Sequence, residues 1–159
     1  FGRKDAQQLA VVTRMARDLD LPVEVIGCPL VRETDGLAMS SRNAYLTADD
    51  RVAARTLSGA LFVVAEAIQR GERDTAPLLA LLDDVLGAQP GIALDYRAIV
   101  DAATLEPVEH LGTSEAGTLV ALAAFVGRAR LIDNITVTVS GEAATVDLGR
   151  LVVPAAEER

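Results

Sequence analysis

The sequence predicts an α/β chain in two parts. A helix–strand unit of a parallel sheet occupies residues 1–33, and a small α+β domain of two helices and an antiparallel sheet follows. Three observations carry this. Apolar residues between Asp5 and Leu19 recur at helical spacing and lead into the β-branched run "LPVEVIGCPLV". Two capped helical patterns lie between Thr47 and Leu86. Three strand-like runs come next, the last two joined by "GR" at 127–128.

The first helix has Ala6, Leu9, Val12, Met15, Ala16 and Leu19 on one face, and Asp5 can cap it by accepting from first-turn N–H groups. The run that follows is too short for a helix and is closed by Pro29, so it reads as a buried strand with Cys28 as a small interior hydrophobe. Thr47 is a good N-cap for the second helix, with Asp49 and Asp50 favoured by the helix dipole. That helix runs to about Arg70 and stops at Gly71, where a left-handed conformation costs glycine little. A third helix spans roughly Thr75 to Leu86 and ends at "GAQPG". "IALDYRAIVD", "TLVALAAFV" and "ARLIDNITVTV" are the strands, with the "GR" a tight antiparallel turn. From Gly141 to "PAAEER" the pattern weakens to an edge strand and tail. The boundary between the parts falls near Val31 to Leu37, with residues 34–46 a hinge and loop, 47–140 the second domain and 141–159 its end.

Composition narrows the function. The 159 residues are half apolar, enough for a core, and the formal net charge of -8 excludes nucleic-acid binding through a general basic surface. One cysteine precludes an intrachain disulfide and leaves no zinc spacing. No apolar run approaches the ~18 residues of a membrane span and no signal peptide is visible, so the expectation is a cytoplasmic protein without membrane partners. The chain opens on "FGRKDAQQ" without an initiator methionine, which points to a fragment or excised domain.

Two segments carry chemistry. In "FGRKDAQQ", Gly2 lets backbone approach a ligand, and the helix start offers N–H groups to an anion. Lys4 adds a point charge, Asp5 can hold a ribose hydroxyl while capping, and Gln7 or Gln8 can donate and accept. Taken by itself, this segment is better accounted for by a capped helix with solvated polar residues.

"GLAMSSRNAYLTADDR" is more specific. Ser40 and Ser41 can donate to phosphate oxygens, and Arg42 can grip them with two prongs. "DGLA" ahead of them supplies a glycine able to hinge, so the loop can close over a triphosphate and offset charge that builds during transfer. The plain alternative is a polar linker whose serines cap the next helix, but Thr47 already fills that role. Asp133 and Asn134, set in an apolar strand, are either a functional pair or groups that satisfy backbone at a bend, with structure the favoured account. Lone His110 is a turn histidine with no ligand spacing around it.

"FGRKDAQQLAVV", "VEVIGCPLVRETDGLAMSSRNAYLT" and "ARLIDN", in that order, resemble the pantothenate synthetase (pantoate–β-alanine ligase) family from Phe1 to about Ile135. The resemblance implies a Rossmann-like nucleotidyltransferase fold, of which residues 1–33 are the end of the nucleotide-binding domain. It implies ATP-dependent condensation of pantoate with β-alanine through a pantoyl-adenylate, on the route to coenzyme A. It assigns Gly2, Arg3, Lys4 and Asp5 to ATP, with Lys4 at the phosphates and Asp5 near the ribose. Gln8 falls on a pantoate contact, Val31 on an adenine contact, and Met39, Ser40, Ser41 and Arg42 on the triphosphate loop. Lys4, Ser40, Ser41 and Arg42 are the catalytic candidates.

Arg3 departs from the family, which usually has an acidic or amide residue there. The family's N-terminal half, with its paired histidines and magnesium-binding acids, has no counterpart here, so Mg2+ is expected in the parent enzyme without ligands in this chain. The parent is expected to be a homodimer, and this chain alone inactive. Two other readings stand beside this one: a non-catalytic lid or interaction domain, and another nucleotidyltransferase sharing the loop.

Overall fold

A computed structural model describes residues 1–112 and 114–152. Helices and strands run in the order α1 (Ala6–Asp18), β1 (Val31–Arg32), a one-turn 3-10 helix (Ser41–Tyr45), α2 (Ala48–Gln69), α3 (Thr75–Gly87), β2 (Ile92–Asp101), β3 (Thr118–Val126), β4 (Ala129–Ser140), β5 (Ala143–Asp147) and β6 (Arg150–Leu151). Strands β2-β3-β4-β5 form an antiparallel sheet in sequence order, while β1 pairs with β6 in parallel.

The local signals behave as the sequence predicts. Thr47 and Asp50 form a reciprocal capping box at the start of α2: the threonine hydroxyl accepts from the Asp50 N–H, and the Asp50 carboxylate accepts from the Thr47 N–H. Gly71 follows α2 with φ +108. Gly127 and Arg128 turn β3 into β4, pairing Val126 with Ala129, and Gly127 has the positive φ that such a tight hairpin demands at its first central position.

Alternation in the central strands defines two faces. Val120, Leu122, Ala124 and Val126 of β3 pack with Leu131, Ile135 and Val137 of β4 against Leu57, Leu61, Val64 and Ile68 of α2 and Leu78, Leu82 and Leu86 of α3. This is the main core, and each fully buried leucine in it contributes about 1.5–3 kcal/mol of transfer free energy. Helix α2 is long and apolar enough by composition to cross a membrane, but half of that stretch is buried inside the protein, as in a core helix. On the opposite face, Leu119 and Ala121 of β3 and Val100 of β2 make a smaller cluster that Ala6 of α1 joins.

The first 30 residues pack only loosely against the rest. Helix α1 forms, with the Asp5 carboxylate accepting from the Gln8 N–H at 3.2 Å, but Ala16 alone of its residues is buried. Met15 and Leu19, on the apolar face of α1 by helical spacing, are 47% and 64% exposed. A cleft of about 930 Å³ separates α1 from the sheet, lined by Leu9 and Ala10 on one side and Leu119, Thr136 and Thr138 on the other.

The expected buried strand "LPVEVIGCPLV" also needs correction. Only Val31 and Arg32 are strand, Val23 and Ile26 are about three-fifths exposed, and Cys28 is exposed rather than interior. An apolar, β-branched run specifies extended backbone, but a neighbouring strand is what buries it. Its main pairing among the described residues is a short rung to the start of the chain: Arg3 N–H to the Cys28 carbonyl at 2.8 Å, and Cys28 N–H to that of Phe1 at 2.7 Å. Past Gly141 the chain forms β5 and then the short β6. The "PAAEER" tail lies outside the described residues.

Candidate functional site

The two segments singled out in the sequence meet over β4, whose Asn134 holds the Lys4 carbonyl and against which the 3-10 turn of the serine loop packs. Lys4 stands at the mouth of α1, and Asp5 caps that helix. The space in front of Gly2 is open, with nothing within 4 Å of where a Cβ would stand. Gln8 lies one turn beyond Lys4 and exposed, on the same side of α1 by helical spacing.

Arg3 is committed elsewhere. Its N–H is spent on Cys28, and its guanidinium lies 3.4 Å from the Asp147 carboxylate, both side chains about half exposed. The Val31 carbonyl accepts from the Met39 N–H at 2.9 Å, which pins the start of the serine loop to β1.

The serine loop is built on a locked turn. Glu33 and Leu37 close it backbone to backbone, Gly36 takes φ +89, and the Leu37 N–H donates to the Asp35 carboxylate. Gly36, Leu37 and Ala38 are buried. Beyond it, Ser40 caps the 3-10 turn by accepting from the Arg42 N–H at 3.3 Å. Ser40 therefore has a local structural task after all, on a helical turn that the sequence does not announce. Met39, Ser41 and Arg42 are exposed, and the Ser41 hydroxyl and Arg42 guanidinium make no hydrogen bond or ion pair with the described residues.

Asn43, the next residue, holds the loop in place. Its amide nitrogen donates to Glu33 Oε1 at 2.6 Å and to the Ala38 carbonyl at 3.1 Å. Both partners are acceptors, which fixes the amide orientation and leaves buried Oδ1 without a partner. The Asn43 hydrogen bond, with Arg51 second, holds the Glu33 carboxyl below the usual carboxylate range.

Behind the loop lies a buried polar centre. Asp133 falls on the core-facing phase of β4, between Leu131 and Ile135, where a lone carboxylate would be costly. Arg32 answers it with two parallel hydrogen bonds, at 2.7 and 3.0 Å, and both side chains are almost wholly buried. The same guanidinium donates to the Gly36, Asn134 and Leu148 carbonyls and lies over the Phe62 ring, 5.1 Å from its centroid. Burial pushes the Asp133 carboxyl up, against the pull of Arg32.

Electrostatics join the two segments. Burial, foremost, lowers the pKa of Lys4 from 10.5; Asp133 and Asp5 oppose that fall, while the positive charge of Arg42 adds to it. The charges of Lys4 and Arg42 thus oppose one another, and Lys4 lines a small cleft with Ala38, Asn43 and Asp133. Two cations beside an exposed hydroxyl are an arrangement that a multiply charged anion relieves. Among the described residues no group of three or more His, Cys, Asp or Glu could hold a metal ion. His110, expected in a turn, is exposed and forms an isolated β-bridge with Asp74, its ring 2.6 Å from the Asp74 carboxylate.

Sequence reasoning missed Arg32, Glu33 and Asn43 as site-building residues. For Asn43 the signal was its place directly after the serine–arginine pair. For Asp133 it was a charge on the inward phase of an apolar strand.

A candidate anion site beside an antiparallel sheet backed by helices is the arrangement these features define. Comparison with known proteins is consistent: a family model for pantoate–beta-alanine ligase matches residues 1–136. The chain belongs to that family. It is 52% identical over 139 residues to the pantothenate synthetase of Heliobacterium modesticaldum, covering 87% of this chain and 48% of that protein. It is 48% identical to that of Caldicellulosiruptor saccharolyticus over the same shares. The crystal structure of the Thermus thermophilus enzyme superposes with a TM-score of 0.78 at 46% identity, over 84% of this chain and 47% of that one. The Francisella tularensis pantoate–beta-alanine ligase, complexed with beta-gamma ATP and beta-alanine, matches with a TM-score of 0.54 at 26% identity, over 85% and 41%. The chain spans about half the length of the relatives it matches.

Proposed function

We propose that this chain supplies the phosphate-gripping part of an ATP-dependent ligase that condenses pantoate with β-alanine. The observation that carries it is that Lys4 lines one cleft with Ala38 and Asn43, the residues that bracket the loop on which Ser41 and Arg42 are exposed. Family membership supplies the substrates.

In this reading the pantoate carboxylate attacks the α-phosphorus of ATP and expels pyrophosphate, giving pantoyl-adenylate. The β-alanine amine then attacks the acyl carbon and expels AMP. Lys4 and Arg42 offset charge on the transferring and leaving phosphates, and Ser40 and Ser41 donate to their oxygens. The Ser40 hydroxyl can do so while its lone pair caps the turn. Gly2 and Asp5 border the nucleotide, Gln8 reaches pantoate, and Val31 and Met39 flank the adenine and the loop. Arg3, held by Asp147, contributes to the nucleotide site through its place in the backbone rather than through its guanidinium.

Residues 1–33 then close a Rossmann-like nucleotide-binding domain, 34–46 form its phosphate loop, and 47–140 form a lid. Mg2+ would neutralise phosphate charge when bound. The described residues offer no cluster to hold it, and no step above passes through it.

The test is Ser41→Ala with Arg42→Ala in a full-length ligase that carries this sequence as its C-terminal half. Coupled formation of pantothenate and AMP should collapse, and an unchanged rate would remove the loop from the mechanism. The chain alone has one wall of a triphosphate site, so its ATP affinity should be millimolar or weaker, about 4 kcal/mol of binding. Calorimetry reads this directly.

A further inference from the structure

We infer that Asn134 is a positioning residue for Lys4, fixing the direction in which the phosphate-binding ammonium leaves the backbone. This rests on the phosphate role proposed for Lys4 and adds the device that aims it. Asn134 lies on the outward phase of β4, opposite Ala121 of β3 and one residue from inward Asp133. Its amide nitrogen donates at 3.0 Å to the Arg3 carbonyl and at 2.8 Å to the Lys4 carbonyl.

Those two carbonyls belong to the two peptide planes that flank the Lys4 Cα. Pinning both planes from one amide sets both backbone dihedrals of Lys4, and with them its Cα–Cβ direction. A single bond to either carbonyl would satisfy that group without this consequence. Both partners are pure acceptors, so the amide can face them only with its nitrogen.

Asn134 is itself held. Its N–H donates to Asp133 Oδ1 at 2.7 Å, and its carbonyl accepts from Arg32 at 3.3 Å. Arg32 also grips the Gly36 carbonyl in the turn that launches the serine loop. One buried network therefore references Lys4 and the loop of Ser41 and Arg42 to the same rigid strand. Angstrom-level placement of charged groups around a reacting phosphate is where such referencing matters.

A double-mutant cycle in the full-length ligase tests this, using Lys4→Ala, Asn134→Ala and the pair, read as kcat/KM for ATP in pyrophosphate release from the adenylation step. Asn134→Ala should lose roughly 10- to 100-fold. Lys4→Ala should lose at least as much, and the pair no more than Lys4→Ala alone, because an aiming device without its lysine has nothing to aim. Losses that multiply would show Asn134 to be merely structural and overturn the inference. So would an Asn134→Ala enzyme of unchanged kcat/KM. If Lys4→Ala itself leaves the rate intact, the phosphate role of Lys4 fails and the inference falls with it, a result distinct from the other two. Should Asn134→Ala not fold, Asn134→Ser, which keeps one donor, takes its place in the cycle with the same two outcomes.

Discussion

Arg32 and Asp133, 101 residues apart in sequence, meet through paired hydrogen bonds of 2.7 and 3.0 Å inside the core. The pair binds the segment bearing the serine loop to the central strand of the sheet. Asp133→Ala would strand the guanidinium without its counter-charge and should destabilise the fold by about 3–5 kcal/mol. Replacing both residues with apolar ones of similar size, Arg32→Met with Asp133→Leu, should cost less than Asp133→Ala or Arg32→Ala alone. Urea midpoints for the three variants check the order.

Lys4 should titrate at a lower pH than the ordinary lysine value of 10.5, because burial disfavours its charged form. The sign follows from linkage. With its folded pKa depressed, Lys4 costs stability where it is protonated in both states, and that cost is relieved as pH rises through the folded pKa toward 10.5. Lys4→Met should therefore be the more stable protein at neutral pH and should lose this rise with pH. Thermal melts of both proteins across the alkaline range measure it.

Gly127 has φ +55, and a Cβ there would stand 2.7 Å from Asp50 Oδ2. Gly127→Ala should cost more than about 1 kcal/mol, from strain at the turn and collision with the carboxylate that completes the capping box of α2. Thr47→Ala should cost about 1 kcal/mol by itself. Because both act on Asp50, their combined effect should fall short of the sum. Chemical denaturation of the singles and the double tests this.

Leu61 is fully buried, whereas Leu19 is 64% exposed despite its place on the predicted apolar face of α1. Leu61→Ala should cost about 2–5 kcal/mol. Leu19→Ala in this chain should stay within about 0.5 kcal/mol of no change. Equal losses would show that α1 is packed in solution as it is not in this structure.

Residue order alone was enough for elements whose signals are local. Thr47 with Asp50 marks the start of α2, Gly71 its stop, and Gly127 the hairpin, because caps and turns are settled by groups within a few residues of each other. The pattern of β3 and β4 was legible for the same reason, since alternation needs only one strand to be read. The serine and arginine of the loop and the lysine at the helix start were legible as chemistry, their side chains naming the anion they suit. Ser40 was half misread: its capping role depends on a 3-10 turn too short to carry a periodic pattern.

Tertiary structure decided what depends on neighbours distant in the chain. "LPVEVIGCPLV" and α1 have the composition of buried elements, yet Cys28, Val23 and Leu19 are exposed, because burial needs a second surface and none among the described residues covers them. Asp133 could be seen as an oddity in an apolar strand, but not as the counter-charge of Arg32. Asn134 could not be seen as the clamp on Lys4, 130 residues away. Hydrogen bonds and charges act over a few ångströms of space whatever the length of chain between them. The candidate cations and hydroxyls could be picked out of the sequence, whereas Arg32, Glu33, Asn43 and Asn134 took on their contacts only when the fold brought their partners within reach.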